Sequence, residues 1–258
     1  MYQLKERFGN TALITGASAG IGKAFSYALA KEGMNLILVA RRAEALQQIA
    51  EDLQQQFGVA VQVLPQDLQE KNAAKTIQSN IKWPVDVLIN NAGFGSYGRF
   101  QDLDVSIEEN MVDLNCKLTV SLTHALLPSM LERKKGGIIF LSSMVGHMPA
   151  PYMATYSATK AFDRFFALSL AGELKNTNIA VLSLHPGDTV SEFREQAHFD
   201  KALPGRPRTV ENVVHTALSN LGKRPSAIDG LGNRIFGFIT RIWPEKRVVN
   251  FTSKIWKP

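Results

Sequence analysis

Tyr156 and Lys160 stand four residues apart in the segment Ala154–Phe162. On a helix, positions i and i+4 share one face, so an ammonium would lie beside a phenol. A free phenol keeps its proton to about pH 10, and a fixed cation nearby favours the phenolate. The pair is therefore suited to giving or taking a proton near neutrality, and a shift of roughly three units would be worth about 4 kcal/mol. On its own such a pair is weak, because Tyr and Lys also meet at this spacing on solvated helix faces. Ser143, thirteen residues before Tyr156, adds a hydroxyl that could hold a substrate oxygen. By itself it reads equally well as a strand-end serine beside Ser142.

The elements that must carry these groups alternate regularly. Apolar, β-branched runs at 11–14, 35–40, 59–64, 85–90, 137–142 and 179–185 are separated by helix-length sequence, with helices expected near 21–32, 43–57, 115–133, 156–174 and 209–221. Strands apolar throughout are those covered on both faces. The fold class is therefore α/β, a three-layer doubly wound parallel sheet in a single domain. After Pro186 the rhythm breaks. Residues 187–208, with Pro204, Gly205 and Pro207, read as a mobile insertion, and 223–258 as a basic C-terminal segment.

The first strand runs into Gly16-Ala17-Ser18-Ala19-Gly20-Ile21-Gly22 and then a helix. Glycines there admit otherwise barred conformations and let backbone amides approach a pyrophosphate at the positive end of the helix. The spacing departs from G-x-G-x-x-G, and a glycine turn can also bind nothing. Its place at the start of a βαβ series favours the nucleotide reading. The second strand ends in Arg41-Arg42, where a ribose-binding acid is common. Two guanidinium groups suit a 2′-phosphate, so NADP(H) is expected over NAD(H), with Arg41 the nearer contact and Arg42 open to a duller role at the helix start.

Together these motifs resemble the short-chain dehydrogenase/reductase family over roughly residues 8–195. Gly16, Ser18, Ala19, Gly20, Ile21 and Gly22 match its glycine-rich turn, Asn90-Asn91-Ala92-Gly93 its signature after the fourth strand, and Ser143, Tyr156 and Lys160 its Ser-x12-Tyr-x3-Lys spacing. Asn115 matches its fourth catalytic residue, and Pro186-Gly187 the turn that lines the nicotinamide. The resemblance implies a Rossmann fold and reversible hydride transfer between NADP(H) and a carbonyl or secondary alcohol carbon. It gives Tyr156 the proton transfer, and Lys160 the acidification of Tyr156 and the ribose hydroxyls. Ser143 would hold the substrate oxygen, and Asn115 a water linking Lys160 to solvent. It further places Asp67 and Leu68 near the adenine, Asn91, Ala92 and Gly93 at the turn, and Thr189 and Ser191 near the carboxamide or phosphate. Ser191 stands where the family often has Thr. A non-catalytic NADP(H)-binding regulator is the alternative, opposed by the joint presence of Ser143, Tyr156, Lys160 and Asn115.

Composition narrows the rest. The chain has 258 residues, 45% of them hydrophobic, and a single cysteine, Cys116, so a reducing, cytoplasmic setting without disulfides is expected, and five scattered histidines build no metal site. The net charge of +6 divides into −2 over residues 1–200 (18 Lys/Arg, 20 Asp/Glu) and +8 over 201–258 (11 against 3). So local an excess gives no bulk affinity for nucleic acid. Phe94, Met144, Met148, Tyr152 and Phe193 suggest an apolar substrate pocket, with Gly95 leaving room and His147 given no chemical role. The surplus of apolar residues along 156–174 suggests a homodimer or homotetramer. The aromatic and basic end, 241–258, fits packing over the cleft or a neighbouring subunit better than peripheral membrane contact.

Overall fold

The computed structural model describes residues 2–197, 199 and 206–257. Seven strands form one parallel sheet: β1 (Thr11–Thr15), β2 (Asn35–Ala40), β3 (Val61–Pro65), β4 (Val87–Asn90), β5 (Gly136–Leu141), β6 (Ile179–His185) and β7 (Ser226–Ile228), in the spatial order β3-β2-β1-β4-β5-β6-β7. The helices are α1 (Leu4–Phe8), α2 (Gly20–Lys31), α3 (Ala43–Phe57), α4 (Ala73–Asn80), α5 (Val105–Val112), α6 (Thr119–Glu132), α7 (Ala154–Glu173), α8 (Phe193–Gln196), α9 (Val210–Asn220), α10 (Leu231–Ile242) and α11 (Glu245–Trp256).

Alternate residues of each strand feed opposite cores, as a pleated strand requires. Ala12, Ile14, Leu36, Leu38 and Ile89 pack with α2, α3 and α9 on one face. Leu13, Ile37, Val39, Ile138 and Phe140 pack with α4, α6 and α7 on the other. Strand order reverses between β1 and β4, which opens a crevice beyond their carboxyl ends. The glycine turn, Asn91–Gly93, Ser143 and Pro186 all follow the carboxyl ends of strands at or next to that crevice.

Several expectations need correction. The helix expected over 115–133 is interrupted: a π-helical turn at Asp113–Leu118 precedes α6. Such a turn re-aims one side chain, here Asn115. The basic C-terminal segment, to which no elements were assigned, is a strand and two helices; they were missed because β7 has only three residues and α10 carries an amphipathic pattern among glycines. The insertion is closed at its base by a bridge between Thr189 and Arg208. Arg208 is fixed in turn by the buried Asp229 carboxylate at 2.8 and 3.0 Å, which also accepts from Thr216 at 2.7 Å. Burial alone would push the Asp229 carboxyl up, but these donors hold it below the usual carboxylate value. Within the insertion α8 forms one turn, while Pro204 and Gly205 lie outside the described residues.

Candidate active site

The glycine turn is braced from β4. The Thr15 hydroxyl donates to the Ile89 carbonyl at 3.1 Å and accepts from the Asn91 and Ala92 amides at 3.0 Å each. Asn91 Nδ2 donates to the Thr15 carbonyl at 2.8 Å, so this side chain does tie the turn to the central sheet. Gly16 has φ +66°, and a Cβ on Gly22 would lie 2.2 Å from the Gly16 carbonyl oxygen; the turn closes only because both are glycine. Helix α2 begins at Gly20 with no side-chain cap from Ala19, so its first-turn amides keep their donors for a phosphate.

Arg41 and Arg42, both exposed, follow β2 beside this turn. Arg42 donates to the Ser18 hydroxyl at 3.2 Å and carbonyl at 3.3 Å, and pairs with Glu192 of the insertion at 3.2 Å. It therefore touches the glycine turn directly, which qualifies the preference for Arg41. Asp67 follows β3, where its carboxylate accepts from the Gln69 amide, and Leu68 beside it is buried. Thr189 and Ser191 turn inward on their own loop: Thr189 donates to the Gly187 carbonyl, and the Ser191 hydroxyl accepts from the Phe193 amide.

Helix α7 carries Tyr156 and Lys160 as the spacing predicts, both buried, with the ammonium 5.9 Å from the phenol ring centroid. Ser143, just past the end of β5, faces the Tyr156 phenol and favours its charged form. Lys160 Nζ donates to the Leu141 carbonyl at 2.8 Å and to Asp163 Oδ2 at 2.9 Å. Asn115 Nδ2 donates to the Phe94 carbonyl and to the Thr159 hydroxyl, each at 3.0 Å, while its Oδ1 accepts from the Phe94 amide at 3.2 Å. Its side chain thus fixes the loop after β4 against α7. Gly93 lets these groups converge: a Cβ there would lie 2.8 Å from Asn115 Oδ1 and 3.5 Å from Lys160 Nζ.

The acidified phenol expected from sequence is not what the folded chain holds. Burial keeps the Tyr156 proton affinity above the ordinary phenol value, against the pull of Lys160 and of the Ser143 hydroxyl, and Asp163 adds to the rise. Lys160 is raised as well: burial opposes its charge, but Asp163 and Tyr156 favour it more. Asp163 was missed at sequence level, although its i+3 spacing from Lys160 puts it on the same face. Thr159 and Glu192 were missed too; their roles depend on contacts distant in sequence.

The short chain dehydrogenase family model matches residues 10–202, which span the glycine turn, Asn115 and the Ser–Tyr–Lys set. The chain belongs to the short-chain dehydrogenase family. It is 33% identical over 255 residues to a very-long-chain 3-oxoacyl-CoA reductase of Anas platyrhynchos, covering 95% of this chain and 80% of that one. It is 32% identical over 237 residues to a 7beta-hydroxysteroid dehydrogenase of Clostridium sardiniense, covering 89% of each. Among solved structures, a 7beta-hydroxysteroid dehydrogenase superposes with TM-score 0.87 at 27% identity over 97% of this chain and 99% of that one. A short-chain dehydrogenase from Sphingobium yanoikuyae in complex with NADPH superposes with TM-score 0.80 at 31% identity, covering 89% and 92%.

This short-chain dehydrogenase is an NADP(H)-dependent oxidoreductase acting on carbonyl and alcohol groups. The residues present fit that cofactor: uncapped amides at α2, a turn that admits no Cβ and two arginines after β2. Bound NADP(H) supplies or accepts the hydride. By the family resemblance the chain's own residues would do the rest: Ser143 would orient the substrate oxygen, Tyr156 would give it a proton in reduction or take one in oxidation, and Lys160 would support the phenolate that reduction leaves. No comparison supports the non-catalytic alternative.

Proposed function

We propose that the carbonyl substrate is apolar or amphipathic. The observation that carries this is the cluster against the Tyr156 ring. Met111, Val145, Ala150, Met153 and Phe199 are buried there, with Phe94, Tyr152 and Phe193 partly buried around them. Phe193 lies 5.1 Å from the Tyr156 ring, and Gly95 gives both rings room. The C-terminal helix closes this cluster, since the Trp256 ring lies tilted against Phe199 at 5.6 Å and its carbonyl accepts from the Tyr97 hydroxyl at 2.8 Å. Relatives named for a very-long-chain acyl-CoA and for a hydroxysteroid point to the same class of compound. Loss of NADPH absorbance across a panel of ketones is the test. Turnover rising with apolar bulk is expected, and equal turnover of small sugars rejects the reading.

The same proposal includes a homo-oligomer in the cytoplasm. Val105, Ile107 and Val112 on and beside α5, Val120 on α6, and Phe162 and Phe165 on α7 are exposed apolar residues of neighbouring helices, more than an isolated chain leaves in water without use. Cys116 is a free thiol. Cell fractionation tests the compartment, and recovery in a sealed oxidising compartment rejects it. A second reading of the C-terminus rests on the outer face of α10, where Leu231, Ile235, Phe238 and Ile242 are exposed at helical spacing with Arg234 and Arg241 along one edge. Such a face suits an anionic bilayer. Because the inner face of the same segment already packs on the cleft, peripheral membrane contact remains the lesser reading. Absence of co-sedimentation with anionic vesicles at low salt removes it.

A further inference from the structure

The Lys160 ammonium faces two groups: the Tyr156 phenol, through which it acts on substrate, and the Asp163 carboxylate one helical turn on. Asp163 Oδ2 lies 2.9 Å from Lys160 Nζ, and both side chains are about 5% exposed, 6% for Lys160 and 5% for Asp163. The other carboxylate oxygen, Oδ1, is buried with no hydrogen-bond partner. A carboxylate held in this way, with one oxygen on a catalytic cation and the other unsatisfied, costs several kcal/mol in desolvation, so helix stability does not account for it.

We propose that Asp163 is a positioning residue of this active site, whose carboxylate takes up part of the Lys160 charge and so limits how strongly that ammonium draws the proton from Tyr156. The electrostatics follow from the pairing alone. Whether the shared proton sits on nitrogen or on oxygen, the Lys160–Asp163 unit has no net charge, and the phenol feels a dipole rather than a cation. Titratable and hydroxyl groups face this unit from each neighbouring element. Tyr156 and Lys160 lie on α7, the Ser143 hydroxyl faces the phenol from just past the end of β5, and Cys116 comes from the π-helical turn. Burial pushes the Cys116 thiol up to about 11, so it brings no charge of its own at neutral pH. Asp163 is therefore the one anion among these groups that opposes the Lys160 field at Tyr156. An unopposed Lys160 would draw the phenol further toward phenolate, the wrong form for donating a proton to a carbonyl. With Asp163 in place the phenol keeps its proton until reduction needs it.

This inference rests on Tyr156 as the proton donor, and its test uses no substrate. Phenolate absorbance is titrated in the wild-type chain and in Tyr156→Phe, and their difference isolates Tyr156; the same difference is taken on an Asp163→Asn background. Wild-type Tyr156 is expected to titrate at or above the ordinary phenol value, and in Asp163→Asn lower by about half a unit or more. A purely structural carboxylate would alter folding or turnover without moving that titration. Two coincident curves overturn the proposal, as does a wild-type phenol already ionised below about pH 8. If Asp163→Asn does not fold, as judged by circular dichroism and NADPH fluorescence, Asp163→Ser takes its place, and the wild-type titration decides by itself. Failure of every ketone tested would count against the substrate class and leave this measurement intact.

Discussion

The first 95 residues and the rest of the chain are built to different standards of completeness. Among the described residues, every buried side-chain nitrogen or oxygen without a hydrogen-bond partner lies at Ser96 or later, including atoms of His147, Asp163, Arg164, His185 and Trp256. Among the described residues, too, every exposed large hydrophobic side chain lies at Phe100 or later. Unpartnered buried polar atoms are rare because each costs roughly 1–3 kcal/mol, and exposed apolar residues gathered on adjoining helices commonly mark contact surfaces. The nucleotide-holding part is thus satisfied internally and waits only for its cofactor. The part that holds the reacting groups carries unmet polar and apolar demands, which substrate and a second subunit can answer. Function here is separated by energetics within one continuous sheet.

The sharpest way to test that division is to remove one atom from the unsatisfied part. Tyr156→Phe deletes the proton donor while keeping the ring against Phe193, so kcat should fall by about 10²–10⁴-fold. NADPH affinity and thermal midpoint should stay close to wild type, because the hydroxyl belongs to the reaction and not to the core. Turnover equal to wild type would break the mechanism, and a large loss of stability would break the comparison. The pH dependence has a worked sign. Reduction needs the protonated phenol, and burial raises Tyr156, so kcat for reduction should stay level until pH passes the ordinary phenol value and fall above it. A fall that begins near neutrality would contradict the burial.

In the satisfied part, the expected losses move from catalysis to binding. Replacing Arg41 and Arg42 together by Ala should reduce the preference for NADPH over NADH by about 10–100-fold, the scale of hydrogen bonds to a charged group. Arg42→Ala alone should also loosen the insertion, since Arg42 joins Ser18 to Glu192. Cofactor fluorescence titrations read both effects, and an unchanged ratio in the double variant would remove the two arginines from 2′-phosphate recognition.

How legible each part was from sequence follows the same line. Strands apolar on both faces announced the sheet, and β2, β6 and α3 begin and end where the sequence placed them. The glycine turn was readable because Gly16 and Gly22 answer a local backbone requirement. What escaped depended on contacts remote in sequence. The π-helical turn exists to bring Asn115 to Phe94 and Thr159, partners 21 and 44 residues away. β7 is too short for a periodic signal and forms because β6 offers it an edge. The Tyr156–Lys160 pair was found from spacing, and Lys160 does pull the Tyr156 proton affinity down as expected, but burial outweighs it. Spacing shows who the neighbours are; burial, which spacing does not show, decided the balance.

A change of stability comes next in size. In Gly22→Ala the new Cβ would meet the Gly16 carbonyl oxygen at 2.2 Å, and the turn, braced by Thr15 and Asn91, has no slack to move. Overpacking of this kind costs about 1–3 kcal/mol, visible as a lower denaturant midpoint. A midpoint equal to wild type would show that the nucleotide part is more yielding than its hydrogen bonding implies.

The smallest effect belongs to the apolar face of α7. Phe165 is 62% exposed and Arg164 sits 5.1 Å over its ring, so the side chain adds little to the fold of one chain. If that face is where a second copy packs, Phe165→Ser should weaken association by about tenfold, or about 1.4 kcal/mol, with the unfolding midpoint of the dissociated chain unchanged. Sedimentation velocity over a dilution series measures this directly. A wild-type chain that stays monomeric at every concentration would leave the exposed residues of α5–α7 without an occupant. The contrast would then be between a finished part and one whose apolar surface serves substrate alone.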